Sequence, residues 1–121
     1  IVEPVQFGGV IELDTYRLEG NMLTLSWRAL GSLALNYTVF VQALDENNQL
    51  MGQGDGPPML PTRYWQAGEQ FVTRHMISSE QPMASGVYRI IVGLYNPDDL
   101  TRLSTIYPDN AFVMPVPVVI P

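Results

Sequence analysis

The sequence contains no cysteine and no lysine. Without cysteine, the chain has no disulfide framework, no thiolate nucleophile and no sulfur ligand for a metal. The lack of cysteine is compatible with both the cytosol and an extracytoplasmic compartment. Fold and function must therefore come from packing, hydrogen bonds and other side-chain chemistry.

Charge is also scarce, since charged residues make up 15% of the chain. Six basic residues face twelve acidic ones, which gives a net charge of −6. The basic residues are scattered arginines, whereas a nucleic-acid-binding protein needs a basic patch to neutralise phosphates. We therefore expect no nucleic-acid partner, and anionic membrane surfaces are disfavoured for the same reason.

A long hydrophobic run is missing as well. The most apolar stretch, residues 87–95, is interrupted by Arg89 and is far shorter than a bilayer span requires. We expect no direct membrane insertion by this segment.

Short runs with alternating apolar and polar residues fill most of the chain, separated by ten glycines and ten prolines. Such period-two alternation is typical of β-strands. The runs that predict strands are 10–18, 22–30, 36–44, 50–53, 70–77, 86–95, a short return at 102–105, and 111–119. With 46% hydrophobic residues, the chain is long enough for one core. We predict a single all-β domain over 1–121, an antiparallel immunoglobulin-like β-sandwich of about seven to nine strands.

Two details refine this prediction. Trp27 lies on an early strand, on the same face as Leu25 and Ala29, where it suits a central core position. Residues 112–121 are rich in proline, which cannot donate to a β-ladder, so we expect an edge strand or a linker there.

The order of several short motifs resembles a known family. The stretches are YRLEGNMLTLSWRAL, NYTVFVQALDENNQL, GDGPPMLPTRYWQAGEQFV and SGVYRIIVGLYNPDDLTRL. They are similar to the C-terminal soluble β-sandwich domain of bacterial multi-pass membrane glycosyltransferase-like proteins. The matching residues are Trp27, Ala29, Tyr37, Val39, Phe40, Val41, Asp55, Pro58, Pro61, Thr62, Trp65, Gly68, Glu69, Gly86, Val87, Tyr88, Val92, Gly93, Leu94 and Tyr95.

The resemblance covers roughly residues 8–105 and implies an accessory module on the extracytoplasmic side of a bacterial membrane. Glycosyl transfer in such proteins belongs to the membrane-embedded part, so the resemblance implies no transferase activity for this domain. One position departs from the family, which usually carries a histidine where this chain has Gln42. No role of that histidine can be transferred to this chain.

Catalytic and metal-binding patterns receive little support. His75 is the single histidine, so zinc would lack its usual set of nitrogen and sulfur ligands. No G-x-S-x-G motif accompanies it, and a half-buried strand histidine is the simpler interpretation. The carboxylates cluster at turns, where aspartate and asparagine bond their own backbone. We therefore expect no enzyme activity, no resident metal and no cofactor.

The segment 54–69 (GDGPPMLPTRYWQAGE) raises the main question about function. It is too apolar for a solvated loop, and Trp65 has a large ring to bury. One hypothesis makes Trp65 a lid over the end of the sandwich, with Tyr64 beside it. The other makes it a platform for a sugar, with Tyr64, Arg63 and Asp55 as further ligand-binding candidates. In the lid hypothesis, Asp55 pins the loop through backbone N–H groups, and Arg63 is its ionic partner.

Three functions follow from these patterns. The first is a non-catalytic accessory or interaction domain of a cell-envelope, glycosyltransferase-like membrane protein, whose partner is the membrane-embedded part of that protein. The second is a carbohydrate-binding module that holds a glycan through the 54–69 loop. The third is a proteinase inhibitor, for which an extended and exposed loop is expected.

Overall fold

A computed structural model describes residues 3–79, 86–114 and 118–120. These residues form nine β-strands in two antiparallel sheets and no α-helix. The predicted all-β sandwich is therefore confirmed, while its immunoglobulin-like subtype stays a prediction.

The first sheet contains four strands in the order β1–β2–β3–β6. Their bounds are β1 Val5–Phe7, β2 Ile11–Glu19, β3 Met22–Ala29 and β6 Gln70–Met76. Strands β2 and β3 form a hairpin around Gly20, whose φ is positive. Along β3, Leu23, Leu25, Trp27 and Ala29 are fully buried, which confirms the alternation in the sequence.

The second sheet has the order β5–β4–β7–β8, and β9 also pairs with β7. Its bounds are β4 Thr38–Leu44, β5 Leu50–Gln53, β7 Gly86–Tyr95, β8 Phe112–Val113 and β9 Val118–Ile120. Two short turns with 3-10 character, Thr62–Tyr64 and Pro108–Asn110, complete the regular structure.

The core lies between the two sheets and is continuous. Trp27 sits within it, and its ring meets Phe7 edge to face with centroids 5.9 Å apart. The fully or nearly fully buried members are Phe7, Ile11, Leu23, Leu25, Trp27, Ala29, Val39, Val41, Ala43, Trp65, Ile77, Ile90, Val92, Leu94 and Phe112. The predicted central role of Trp27 is confirmed.

A second, smaller apolar cluster covers the outer face of the second sheet. It contains Phe40, Ile91 and Ala111, with Tyr95 packed against it. Phe40 pairs across the strands with Gly93. A Cβ atom on Gly93 would stand 2.5 Å from the Phe40 ring, so this ring can lie flat on the sheet only because its neighbour is glycine.

The strand predictions differ from the structure in three places. Strand β1 has only three residues and carries too little alternation for the sequence to reveal it. Residues 102–105 form no strand, and only Arg102 makes an isolated bridge, to Tyr95. The run 111–119 contains β8 and the start of β9, both paired with β7, while residues 115–117 lie outside the described part.

Candidate functional site

The segment 54–69 begins where the two sheets come together at one edge. The backbone of Gln53 bonds that of Ser78 in both directions, which joins the end of β5 to the chain after β6. Gly54 follows, and a Cβ there would lie 2.8 Å from the carbonyl oxygen of Met76. Because that obstacle is backbone, only glycine fits this close approach.

Asp55 faces away from the core and pins the segment to β4. Its Oδ1 accepts a hydrogen bond of 3.1 Å from the backbone N–H of Val41, as the loop-pinning hypothesis expects. The next residue, Gly56, exchanges two backbone hydrogen bonds with Val39. The predicted ion pair with Arg63 is absent among the described residues, where the basic side chains near Asp55 are His75 and Arg102.

The environment of the Asp55 carboxyl group disfavours its charge. The residue as a whole is exposed, but the carboxyl lies against the strand and loses part of its hydration. This desolvation raises its pKa, and the bonds from Val41 and Tyr95 offset the effect only in part.

Thr62 anchors the middle of the segment, a role that the sequence does not reveal. Its hydroxyl donates to the carbonyl of Leu35 at 2.7 Å and accepts from the N–H of Tyr37 at 2.9 Å. The residue is completely buried. Because both capacities of the hydroxyl are used, Thr62 ties the loop to the chain that enters β4.

Trp65 closes the end of the core. Its ring is 2% exposed and stacks on Phe71, with centroids 4.1 Å apart and planes 6° from parallel. Its Nε1–H donates to the carbonyl of Leu60 at 2.9 Å. Neither face of the indole is open to a sugar in this conformation, so its geometry is that of the lid hypothesis.

Tyr64 and Arg63 lie outside the lid. Tyr64 is 53% exposed and does not pack beside Trp65 as expected. The Arg63 guanidinium donates to the Tyr64 hydroxyl at 2.8 Å and sits 4.9 Å from the centre of the same ring. The structure therefore separates the four predicted ligand-binding residues, with Trp65 in the core, Arg63 and Tyr64 on the surface and Asp55 on the outer face of β4.

His75 belongs to a buried chain of hydrogen bonds, which we call the inner polar chain: Trp27, Thr73, His75 and the carbonyl of Gly54. Trp27 Nε1–H donates to Thr73 Oγ1 at 2.9 Å, and Thr73 Oγ1 lies 2.8 Å from His75 Nε2. His75 Nδ1 lies 2.7 Å from the Gly54 oxygen. A carbonyl only accepts, so Nδ1 carries the proton and Nε2 accepts from Thr73.

This arrangement gives His75 a structural role. It is 3% exposed rather than half-buried, and burial lowers its pKa because the charged ring would lose hydration. Both ring nitrogens are occupied by groups of the fold, which leaves neither free as a general base.

Asp55 lines an open depression of about 230 Å³ on the outer face of the second sheet, which we call the outer pocket. Its lining residues are Phe40, Gln42, Asp55, Tyr95, Leu100 and Arg102. Phe40 and Gln42 come from β4 and Tyr95 from β7, while Arg102 follows β7 and lies over the Phe40 ring at 4.3 Å.

Sequence reasoning missed the outer pocket as a site. The alternation along β4 places Phe40 and Gln42 on the face opposite Val39 and Val41, and that signal was readable. The position of Arg102 in the pocket cannot be read from the sequence, because it depends on the fold of the chain after β7.

Among the described residues, no three histidine or carboxylate side chains lie close enough together to hold a metal ion. The described part also contains no helix of the length and apolarity needed to cross a membrane.

Comparisons with protein-family models, with curated proteins and with solved structures found no match to this chain. The glycosyltransferase-associated family therefore stays a resemblance.

Proposed function

We propose that this chain is a non-catalytic interaction domain that docks on another polypeptide through residues 57–64. The observation that carries the proposal is the exposure of Met59, whose side chain is fully accessible to solvent. Leu60 and Tyr64 on the same segment, and Leu35 beside it, are also exposed. Single exposed apolar residues are common on protein surfaces, whereas adjoining ones are typical of interaction sites.

The exposed side chains sit on a backbone that hydrogen bonds fix at several points. Asp55 and Gly56 hold the start of the segment on β4, and Thr62 holds its middle. The bond from Trp65 to the Leu60 carbonyl holds the part between them. A surface that is already ordered loses little conformational entropy when a partner binds.

The partner that we propose is the membrane-embedded part of a glycosyltransferase-like protein, met on the extracytoplasmic side of a bacterial membrane. Support comes from the motifs that resemble that family. Charge supports a protein partner over a lipid surface, because a net charge of −6 is repelled by anionic headgroups. The internal use of both His75 nitrogens supports a non-catalytic role.

A proteinase inhibitor is the alternative that uses the same loop. Its exposed Met59 and Leu60, which lie between Pro58 and Pro61, would suit this function. The backbone bends at Met59 and Leu60, however, whereas an inhibitory loop is expected to be extended. The geometry therefore favours docking over inhibition.

The test is co-purification of the domain with a separately produced membrane-embedded part of such a glycosyltransferase-like protein. We expect wild type to be retained and the double variant Met59→Ser, Leu60→Ser to bind at least about tenfold more weakly. Ile106→Ser is the matched control, because Ile106 is 91% exposed on a different segment and should not affect binding.

Two results would contradict the docking proposal: no retention of wild type, or equal retention of wild type and the double variant. Inhibition of a protease by wild type and not by the double variant would instead support the inhibitor alternative.

A further inference from the structure

The outer pocket holds polar groups that the fold does not use. Among the described residues, the Gln42 side-chain amide has no hydrogen-bond partner. The Nη1 group of Arg102 donates to the carbonyl oxygen of Asp109 at 2.9 Å. Its other guanidinium nitrogens have no hydrogen-bond partner in the same part of the chain. Such groups remain available to a ligand.

These groups are held in place by contacts that leave part of their hydrogen-bonding capacity free. The backbone of Arg102 is held by an isolated β-bridge to Tyr95, and its guanidinium lies over the Phe40 ring. Asp55 is fixed by the N–H of Val41, and the Tyr95 hydroxyl bonds the same carboxylate. Fixed donors and acceptors around an open space are the usual anatomy of a small-ligand site.

The mixture of charges selects the class of ligand. A free anion would be repelled by Asp55, and a free cation by Arg102. A small zwitterion would satisfy both charges but would leave the Gln42 amide unused. A neutral polyol uses Asp55, Arg102 and Gln42 together, because each hydroxyl donates to a carboxylate or an amide oxygen and accepts from an N–H group.

Size limits the ligand further. The pocket volume of about 230 Å³ is below the range of drug-sized sites, so one small ring fits and a long chain does not. Leu100 is 71% exposed at the rim and provides an apolar contact for the C–H face of such a ring.

We propose that the outer pocket binds a single pyranose unit of a neutral carbohydrate. Asp55 and the Gln42 amide oxygen accept from its hydroxyls, and Arg102 and the Gln42 amide nitrogen donate to them. The lining of this site includes no residue of the proposed docking segment 57–64, and Trp65 takes no part in it.

A larger depression of about 510 Å³ carries no competing proposal. Its lining runs from Gly86 to Arg89 and from Leu44 to Glu46. Gly86 follows directly on residues 80–85, which lie outside the described part.

The test is a titration of isotope-labelled protein with the methyl glycosides of glucose, galactose and N-acetylglucosamine, followed by amide chemical shifts. We expect saturable shifts at Val41, Asp55 and Arg102 for at least one glycoside, with a dissociation constant in the millimolar range. Gln42→Ala should weaken binding about three- to tenfold, since it removes the contacts of one amide.

Two further variants separate binding from folding. Gln70→Ala changes an exposed strand glutamine on the other sheet and should bind as wild type does. Asp55→Asn keeps an oxygen for the Val41 N–H and so keeps the loop pinned, but it should weaken binding. Unchanged amide shifts away from the pocket establish that both pocket variants are folded.

Three outcomes would overturn the proposal. One is the absence of shifts with all three glycosides. Another is a set of shifts centred on Arg63 and Tyr64, or unaltered by Gln42→Ala. The third is a response to glycine without a response to any glycoside, which would assign the pocket to a zwitterion.

Discussion

Two polar clusters lie on opposite sides of the chain at two neighbouring residues, Gly54 and Asp55. The carbonyl of Gly54 faces inward and accepts from His75 in the inner polar chain. The side chain of the next residue, Asp55, faces outward and lines the outer pocket. Both clusters combine aromatic rings with hydrogen-bonding groups, yet their partners differ completely.

In the inner polar chain, every ring nitrogen and the Thr73 hydroxyl bond one another or the backbone. Buried polar groups are costly unless they are paired, and here the fold itself supplies the partners. In the outer pocket, Gln42 and part of Arg102 have no partner among the described residues. The comparison teaches that composition does not distinguish structural from ligand-binding polar groups, whereas the identity of their partners does.

The largest effect is expected from Trp65→Ala, which opens the end of the core beside Phe71. Removing a buried tryptophan should lower the free energy of unfolding by about 3–5 kcal/mol. Urea denaturation measures the change. Tyr64→Ala is the control, since its exposed ring should cost no more than about 0.5 kcal/mol. Equal costs at the two positions would contradict the lid geometry.

A smaller loss is expected from Thr73→Val, which keeps the shape and removes the hydroxyl that joins Trp27 to His75. The indole N–H and the imidazole then lose a partner in a buried site, at a cost of about 1–3 kcal/mol. Thr15→Val, on an exposed position of β2, should leave stability nearly unchanged. A Thr73→Val variant as stable as wild type would show that water replaces the hydroxyl and that the inner polar chain is not closed.

The pH dependence of stability tests the charge state of the same cluster. Burial lowers the pKa of His75 below its ordinary value of 6.5, so below that pH the unfolded chain binds a proton that the folded chain resists. The free energy of unfolding should therefore decrease as pH falls from about 7 through 6.5.

His75→Gln provides the control, because it removes the only histidine. We expect this variant to be less stable than wild type but to lose the pH dependence in that range. An unchanged slope in His75→Gln, or a wild type that becomes more stable as pH falls, would contradict a neutral buried imidazole. Burial raises the pKa of the Asp55 carboxyl above its ordinary value of 3.8.

Much of the fold could be predicted because alternation is a local signal. Strands β2, β3 and β7 lie within a residue of their predicted bounds, and the turns at Asp45 and Asn96 use the side-chain bonds expected there. Alternation also placed Trp27 in the core. Strand β1 was missed because three residues show no period.

The site was harder to predict because it depends on contacts between distant segments. Trp65 lies on Phe71, and the anchor at Thr62 joins residues that are 25 and 27 positions apart. The sequence predicts correctly that Asp55 pins the loop but pairs it with Arg63, while the structure places it near Arg102. Closeness in sequence therefore predicts the wrong partner for Asp55, because the tertiary fold decides which charged groups meet.

The most direct test of the comparison is the free energy of unfolding of Gln42→Ala beside that of Thr73→Val, measured by urea denaturation. If the outer polar groups serve a ligand and the inner ones serve the fold, Gln42→Ala should stay within about 0.5 kcal/mol of wild type. The free energy of unfolding of Thr73→Val should be about 1–3 kcal/mol lower than that of wild type. Comparable losses in the two variants would contradict the account, because Gln42 would then be part of the structure.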